Sequence, residues 1–470
     1  MQTLSSFVTS CVLCLASAAW STVMATPLTA LSGADADKVD ALVTETLHRE
    51  GAPGAVVAIV SGGAILYRKA YGTADLSSGR ALDPDTAFEI GSLTKQMTAV
   101  AVLQLVAAHR IALTDRVDQF VPGYRAAAAV TVAQLLQQVS GVPDFAASPA
   151  FAADATSQPT DFAHLLGTVD AQPLDFAPGK RWKYSNTNYL LLGHMVELVS
   201  KINFDTYLSQ HVLAPAAMRS VTTLGTKERY ANQAQGYMDN GLHVAAADSF
   251  DNSWIGAAGN LVATVDDLIA WDRFLFGGAG QPFLPMMATP AVLADGTTVG
   301  YGFGLFVDRQ AGHRRIWHGG GTLGFSSSNM IYPDEALWII ALVNDGDVNA
   351  TALTAALYAA LHGLEHRAEP GELPSVSALV ALWLQRLQRG ELPESAVTPA
   401  LFLALTANSH QGLDALKARL DIYGRPEAIL YQGRVDDTYA YIVRFGAQWL
   451  HVDCRFLDDA RLASITINPE

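Results

Sequence analysis

The chain has 470 residues, of which 45 are acidic and 30 are basic, so its formal net charge is −15 at pH 7, and half of its residues are hydrophobic. This composition can bury a large core, and the length predicts two or three domains because single cores stop growing at about 250–300 residues. The acidic balance excludes a nucleic-acid partner, which would need a surplus of Lys and Arg, and no internal apolar run is long enough to span a membrane.

The N-terminal segment predicts an exported protein. No charged side chain precedes Asp35, and the apolar run Phe7–Trp20 is followed by small residues up to Ala25. This pattern is typical of a signal peptide, here residues 1–25, although its start lacks the usual Lys or Arg. A buried N-terminal helix is the alternative. With the signal removed, we expect a bacterial protein of the periplasm or the medium, with no transmembrane segment.

The cysteine content limits which disulfides and metal sites the chain can form. Cys11 and Cys14 would be removed with the signal peptide, which leaves Cys454. A single cysteine excludes a disulfide within the chain and a metal site built from cysteines.

The first half of the chain predicts one amphipathic helix, one hairpin and one buried helix. Apolar residues recur on one face of Asp37–Glu50, and two strand-like runs, Ala55–Val60 and Ala64–Tyr71, flank a Ser-Gly-Gly turn. Ser92–Arg110 is apolar almost all round, which indicates a buried helix. From there to about Phe276 the pattern is mostly helix and loop.

Near Gly300 the pattern of hydrophobic residues changes from the period of a helix to that of strands. Four strands and a closing helix are predicted at Tyr301–Asp308, Arg314–Trp317, Phe325–Tyr332, Leu337–Val343 and Thr351–His362. Together with the early hairpin, they favour an α+β domain over residues 35–365, in which one antiparallel sheet is flanked by N- and C-terminal helices and the helical middle is an insertion.

A small α+β module is predicted at residues 373–470, after a polar segment containing Pro370 and Gly371. Its predicted helices are Ser375–Arg389, Val397–Leu405 and Leu413–Leu420, and its predicted strands are Ala428–Gln432, Thr438–Phe445, Trp449–Arg455 and Leu462–Ile467.

Ser92 and Lys95 form the first candidate catalytic pair. Residues three apart share a helix face, so the amine can hydrogen-bond the hydroxyl. Apolar neighbours would lower the pKa of Lys95 and make it a base near neutral pH. The alternative is an ordinary Ser cap at a helix start.

Tyr184 and Asn186 lie between the turn Pro178-Gly179 and an apolar Leu run. A phenol with Lys183 nearby could pass a proton to a leaving group, and a carboxamide could bind a substrate carbonyl. A buried Tyr and an Asn helix cap are the alternative for this pair.

Gly319 to Gly324 match the dinucleotide-binding pattern G-x-G-x-x-G. That function requires a helix directly after the glycines. The residues that follow, Phe325–Tyr332, alternate as a strand does, which argues against NAD or FAD. Glycines at a strand edge can instead offer N–H groups to an oxyanion.

These three clusters together resemble the serine β-lactamase and penicillin-binding-protein superfamily, in its class C-like branch. Ser-x-x-Lys, Tyr-x-Asn and His-x-Gly follow one another in that family's order over roughly residues 35–365. The supporting matches are Phe88-Glu89-Ile90-Gly91, Leu135-Leu136, Ser140-Gly141-Val142-Pro143, Ala258-Gly259-Asn260-Leu261 and Tyr301-Gly302-Phe303-Gly304.

The resemblance implies a fold and a set of roles. It implies the β-lactamase/transpeptidase-like fold, Ser92 as the acylated nucleophile, and Lys95 and Tyr184 as the groups that share general-base and proton-shuttle work. Asn186 would position the substrate, and the N–H groups of Ser92 and Gly321 would form the oxyanion hole, with His318 and Gly320 beside it. No metal or cofactor is expected.

The third motif departs from the β-lactamases of this branch. They carry Lys-Thr-Gly, whereas this chain has His318-Gly319-Gly320, which lacks the hydroxyl and has a charge that depends on pH if His318 titrates normally. The His-x-Gly form is similar to that of D-aminopeptidases, DD-peptidases and esterases. We therefore expect a secreted serine hydrolase acting on a small-molecule or peptide amide or ester, with weak β-lactamase activity at most. The alternative is a non-catalytic relative that binds peptidoglycan fragments or a protein partner. The oligomeric state is left open.

Overall fold

The computed structural model describes residues 30–124, 127–223, 232–239, 244–363, 373–407, 412–414, 416–417, 420, 425–435, 437–445, 448–457 and 460–469. The predicted signal peptide and the segment between the two predicted domains lie outside these residues, and the predicted helix Leu413–Leu420 lies partly outside them. The division into domains stays a prediction.

Thirteen α-helices lie within the described residues. The helices are α1 Gly33–Glu50, α2 Thr94–Ala107, α3 Val132–Leu136, α4 Pro149–Asp154, α5 Phe162–Asp170, α6 Asn186–Ser200, α7 Phe204–Leu208, α8 Asn252–Gly259, α9 Val265–Gly277, α10 Leu284–Met287, α11 Ala350–His362, α12 Pro374–Gln388 and α13 Pro399–Ala407. None of these helices is both long and apolar enough to cross a membrane.

The strands form one large sheet and several small ones. They are β1 Gly54–Ser61, β2 Ala64–Asp75, β3 Arg80–Ala81, β4 Phe88–Glu89, β5 Thr222–Thr223, β6 Tyr237–Asp239, β7 Val244–Ala246, β8 Leu261–Ala263, β9 Ala291–Val292, β10 Thr298–Val299, β11 Phe306–Gln310, β12 His313–Thr322, β13 Phe325–Tyr332, β14 Leu337–Val343, β15 Ala428–Val435, β16 Thr438–Phe445, β17 Gln448–Phe456 and β18 Leu462–Pro469.

The large sheet joins the two ends of the predicted catalytic domain. Its order is β11-β12-β13-β14-β1-β2-β3, and β1 pairs antiparallel with β14, so that Ala55 faces Val343. The predicted antiparallel α+β architecture is confirmed, and so are strands β13 and β14 at the predicted residues. The predicted strand Tyr301–Asp308 is wrong in its first half, because Tyr301–Leu305 form a turn in which the Gly302 N–H donates to the Leu305 carbonyl.

Both faces of the large sheet are covered, which explains why β1 is apolar throughout. All of its residues are buried, and successive side chains point to opposite faces. Val56, Ala58 and Val60 join the larger core with α2, α6 and α9, whereas the alternate residues join a second core with α1 and α11.

The C-terminal residues form their own sheet and core. The strands have the order β15-β16-β17-β18, and residues of α12, including Trp383, pack with them. Cys454 is buried within this core as a free thiol.

Candidate functional site

Ser92 lies in a short turn that leads into the most buried helix of the chain. The turn Gly91–Leu93 is a 3₁₀ helix and α2 begins at Thr94, so the prediction that Ser92 opens the α-helix is off by two residues. Residues three apart also share a face in a 3₁₀ turn, and the Lys95 Nζ lies 2.8 Å from the Ser92 Oγ. The predicted contact between the two side chains is therefore present.

Lys95 is fully buried and has three hydrogen-bond acceptors. Besides Ser92, its Nζ contacts the Asn186 Oδ1 at 2.9 Å and the Ala258 carbonyl at 2.7 Å. Burial lowers the pKa of Lys95 to about 7, against the opposing charge of Asp144. A neutral amine has two N–H groups, which suit Asn186 and Ala258, and one lone pair, which suits the Ser92 hydroxyl. Near neutral pH this arrangement can accept the Ser92 proton.

Tyr184 faces the same serine in its protonated form. Tyr184 and Ser92 both line the same cleft. Burial raises the pKa of the phenol well above its usual value of 10, and the nearby Ser92 hydroxyl opposes this rise. The Lys95 Nζ lies 4.8 Å from the centre of the ring. The two pKa directions therefore favour Lys95 as the base and Tyr184 as a proton donor. Lys183, which was expected near this phenol, instead forms an ion pair with Asp175 at 2.6 Å.

Asn186 is oriented by a carboxylate that the sequence analysis did not single out. Asn186 is the first residue of α6, and its Nδ2 and backbone N–H donate to the Asp144 carboxylate, each at 3.1 Å. Because the amide nitrogen is held by Asp144, the amide oxygen faces Lys95. The signal for Asp144 in the sequence is only its position directly after Ser140–Pro143. Burial raises the pKa of its carboxyl.

The glycines of the third motif allow β12 to pack directly against the turn Gly91–Leu93, which contains Ser92. A Cβ on Gly320 would lie 2.0 Å from the Ile90 carbonyl oxygen, and a Cβ on Gly91, whose φ is +50°, would lie 2.8 Å from the Gly321 N. The Ser327 Oγ also donates to the Ile90 carbonyl, at 2.9 Å. The backbone of Gly321 is therefore next to the residue that precedes Ser92. The following segment is strand β13, as the argument against a dinucleotide site predicted.

His318 is buried and neutral, which corrects the expectation that its charge changes near pH 6.5. Its Nε2 pairs with the Tyr301 hydroxyl at 3.1 Å, and its Nδ1 contacts the Gly319 carbonyl at 2.5 Å. Burial, together with the charge of Lys95, lowers its pKa to about 3. The sequence could not show this because Tyr301 and Phe306, which contact the ring, come from other segments.

These residues open into one cleft of about 440 Å³. Lys95 and Asn186 do not line it, whereas Ser92, Tyr184 and the third motif do. The lining residues are Ser92, Tyr184, Phe306, Trp317, His318, Gly319, Gly320, Gly321, Ser326, Ser327, Gly346, Asp347, Val348, Asn349 and Thr351. The structure thus brings all seven predicted site residues together.

Comparisons with known proteins agree with this arrangement. The family model described as Beta-lactamase matches residues 39–364. A D-aminopeptidase from Brucella ovis is 29% identical over 328 residues, which are 68% of this chain but only 62% of that protein. The chain therefore spans less than two thirds of the length of this relative.

Solved structures share the fold. The D-stereospecific amidohydrolase from Streptomyces sp. is 27% identical, with a TM-score of 0.61 over 70% of this chain and 99% of that one. The octameric penicillin-binding protein homologue from Pyrococcus abyssi is 19% identical, with a TM-score of 0.62 over 93% of this chain and 98% of that one. Since the family model covers well over half of the chain, this protein belongs to the β-lactamase family.

Proposed function

We propose that the protein is a serine hydrolase that forms an acyl-enzyme on Ser92 and hydrolyses a peptide amide or a small ester. The observation that carries the proposal is the 2.8 Å contact between the Ser92 hydroxyl and a fully buried lysine whose pKa burial lowers to about 7. A lysine in this state is a base matched to neutral pH.

In the acylation step, neutral Lys95 takes the Ser92 proton as the Oγ attacks the substrate carbonyl carbon. The negative charge that develops on the carbonyl oxygen is stabilised by the N–H groups of Ser92 and Gly321. Tyr184 donates its proton to the leaving amine or alcohol and regains one from the Lys95 ammonium. The bond to the leaving group breaks, and an ester on Ser92 remains.

In the second step, water hydrolyses this ester. The attacking water gives its proton to the same Lys95 and Tyr184 pair, and the Ser92 oxygen takes a proton back as it leaves. Asn186 holds the Lys95 amine in place through both steps, because Asp144 fixes its amide. The net reaction adds one water and regenerates both groups.

The relatives and the third motif support an amide substrate over a β-lactam. The similar proteins are a D-aminopeptidase and a D-stereospecific amidohydrolase, so we propose the D-aminopeptidase, DD-peptidase or esterase type of activity. At the third motif, neutral His318 and Gly319 replace the cation and the hydroxyl expected in a β-lactamase. Hydrolysis of β-lactams is therefore expected to be weak at most.

Labelling with a fluorophosphonate probe, read by intact-protein mass spectrometry, tests the proposal. We expect one adduct on the wild-type protein and on Ser326→Ala, which removes another hydroxyl from the cleft lining. We expect none on Ser92→Ala. An equal adduct on Ser92→Ala, or no adduct on the wild type, contradicts the proposed nucleophile.

Turnover distinguishes this function from the non-catalytic alternative. A panel of D-amino-acid amides, short-chain p-nitrophenyl esters and nitrocefin is expected to give steady product formation with at least one amide or ester and little with nitrocefin. Tight binding of a peptidoglycan fragment without turnover of any panel member would favour the alternative.

We also propose export, on the basis of the uncharged, apolar N-terminal segment. After expression in a bacterium, the N-terminus of the mature protein is expected near Ala25. Mass spectrometry of the purified chain checks this, and a chain that retains residues 1–25 contradicts it.

A further inference from the structure

The cleft that contains Ser92 has a strongly uneven charge. Of its fifteen lining residues, Asp347 alone carries a formal charge at neutral pH, because burial keeps His318 neutral. Asp347 is exposed, and it lies in the loop between β14 and α11, which forms one side of the cleft. A substrate bound next to Ser92 therefore meets a carboxylate on this side.

The carboxylate is held in place by its neighbours. The Asp347 Oδ2 accepts a hydrogen bond from the Asp239 N–H at 2.7 Å, and its own N–H donates to the Asp345 Oδ1 at 2.9 Å. Within the described ranges, no residue donates a hydrogen bond to the Asp347 Oδ1. One oxygen is thus fixed by the protein, and the other can accept from a ligand.

The same side of the cleft offers little to an anion. The loop leads into the N-terminus of α11, which would ordinarily favour negative charge. The chain's own side chains cap two N–H groups of that end: the Ala350 N–H donates to the Ser326 Oγ at 3.2 Å, and the Ala352 N–H donates to the Asn349 Oδ1 at 2.9 Å. The balance of charge in the cleft therefore favours a cation.

We propose that Asp347 determines specificity by binding an ammonium group on the acyl part of the substrate, so that the preferred substrates are amides or peptides with a free amine. This inference rests on the proposed function and names its substrate class. An ammonium paired with a carboxylate is a charge-assisted hydrogen bond, which is stronger than a neutral one.

A matched pair of substrates tests the proposal: D-alanine p-nitroanilide, with a free amine, and its N-acetyl derivative. The readout is the ratio of their kcat/KM values. We expect the wild type to favour the free amine, and Asp347→Asn to lower that ratio about tenfold, mainly through KM for the free amine. An ε-aminocaproyl p-nitroanilide shows whether the ammonium must be on the α-carbon.

Asp239→Asn is the matched control, since it removes a neighbouring negative charge that does not line the cleft, and it should leave the ratio unchanged. Asp347→Asn keeps the size of the side chain and an oxygen for the Asp239 N–H, and thermal melting checks its fold. The proposal is overturned by an unchanged ratio in Asp347→Asn, or by an equal loss with both substrates. If wild type and variants form no Ser92 adduct and turn over neither substrate, the proposed function itself fails.

Discussion

The two walls of the cleft act by different means. The helical wall, built from the turn Gly91–Leu93, α2 and the start of α6, acts through side chains. Lys95 hydrogen-bonds Ser92 and Asn186, and the Tyr184 ring lies 4.8 Å from the Lys95 Nζ. The strand wall, β12, acts through backbone, because Gly320 and its neighbours allow the strand to approach the nucleophile. The helical wall therefore depends on the functional groups that its side chains carry, whereas the strand wall depends on the absence of side chains.

The two walls also treat charge differently. On the helical wall, burial brings the pKa of Lys95 to about 7, where a proton can be gained or lost during a reaction. On the strand wall, burial brings the pKa of His318 to about 3, so its proton state is fixed at neutral pH. The same physical cause, removal of a cation from water, thus leaves Lys95 able to exchange a proton near neutral pH and leaves His318 neutral.

The largest expected effect is on the helical wall. Lys95→Ala removes the base, so kcat/KM for p-nitrophenyl acetate should fall by about 10³-fold or more. Lys183→Ala is the matched control, because Lys183 neighbours Tyr184 in the chain but pairs with Asp175, and it should change the rate by less than about threefold. A folded Lys95→Ala variant with an unchanged rate would contradict the proposal that Lys95 is the base on the helical wall.

The strand wall should respond to added bulk instead. In Gly320→Ala the new Cβ would lie 2.0 Å from the Ile90 oxygen, so we expect a loss of about 2 kcal/mol or more in the free energy of unfolding and a large loss of activity. In Gly321→Ala no atom lies within 4 Å of the new Cβ, so stability should change by less than about 0.5 kcal/mol. Urea unfolding measures the stability of both variants. Equal losses would show that the close approach of β12 to Ile90 is not the reason why position 320 needs glycine.

His318→Gln tests whether His318, on the strand wall, is uncharged in the folded protein. The folded-state pKa of about 3 lies below the ordinary value near 6.5, so between them the unfolded chain binds one more proton than the folded protein. Stability should therefore rise with pH in this window, by about 1.4 kcal/mol per unit for this group. His318→Gln should lose that part of the slope, while the exposed His48→Gln should keep it. Urea unfolding midpoints of both variants, measured from about pH 4.5 to about pH 7, test this difference. Equal slopes in the two variants would contradict the low pKa of His318.

The sequence predicts the two walls unequally. For the sheet next to the strand wall, β14 is predicted at its observed residues because it is apolar throughout. The side chains of the helical wall are predicted from short local motifs. What the sequence misses depends on distant contacts: the low pKa of His318 depends on its burial and on Lys95, and the orientation of Asn186 depends on Asp144. Residue types are local information, whereas burial and pKa are properties of the folded chain.

The smallest expected effect concerns how Asp144 controls the pKa of Lys95 on the helical wall, and Asp144→Asn tests it. The negative charge of Asp144 raises the pKa of Lys95, so its removal should lower that pKa. The substituted amide would also place an N–H group opposite the Asn186 Nδ2, and the resulting turn of the Asn186 amide would take an acceptor away from the Lys95 ammonium. Both effects favour neutral Lys95.

The proposed mechanism needs neutral Lys95, so the acidic limb of the wild-type kcat/KM profile should lie near pH 7. In Asp144→Asn this limb should move to lower pH by about half a unit or more. Asp175→Asn, which removes an exposed carboxylate, should leave the limb in place. His318→Gln should also leave the limb in place, since His318 is neutral on both sides of pH 7. A limb that stays in Asp144→Asn but moves in His318→Gln would reverse the assignment of the titrating wall.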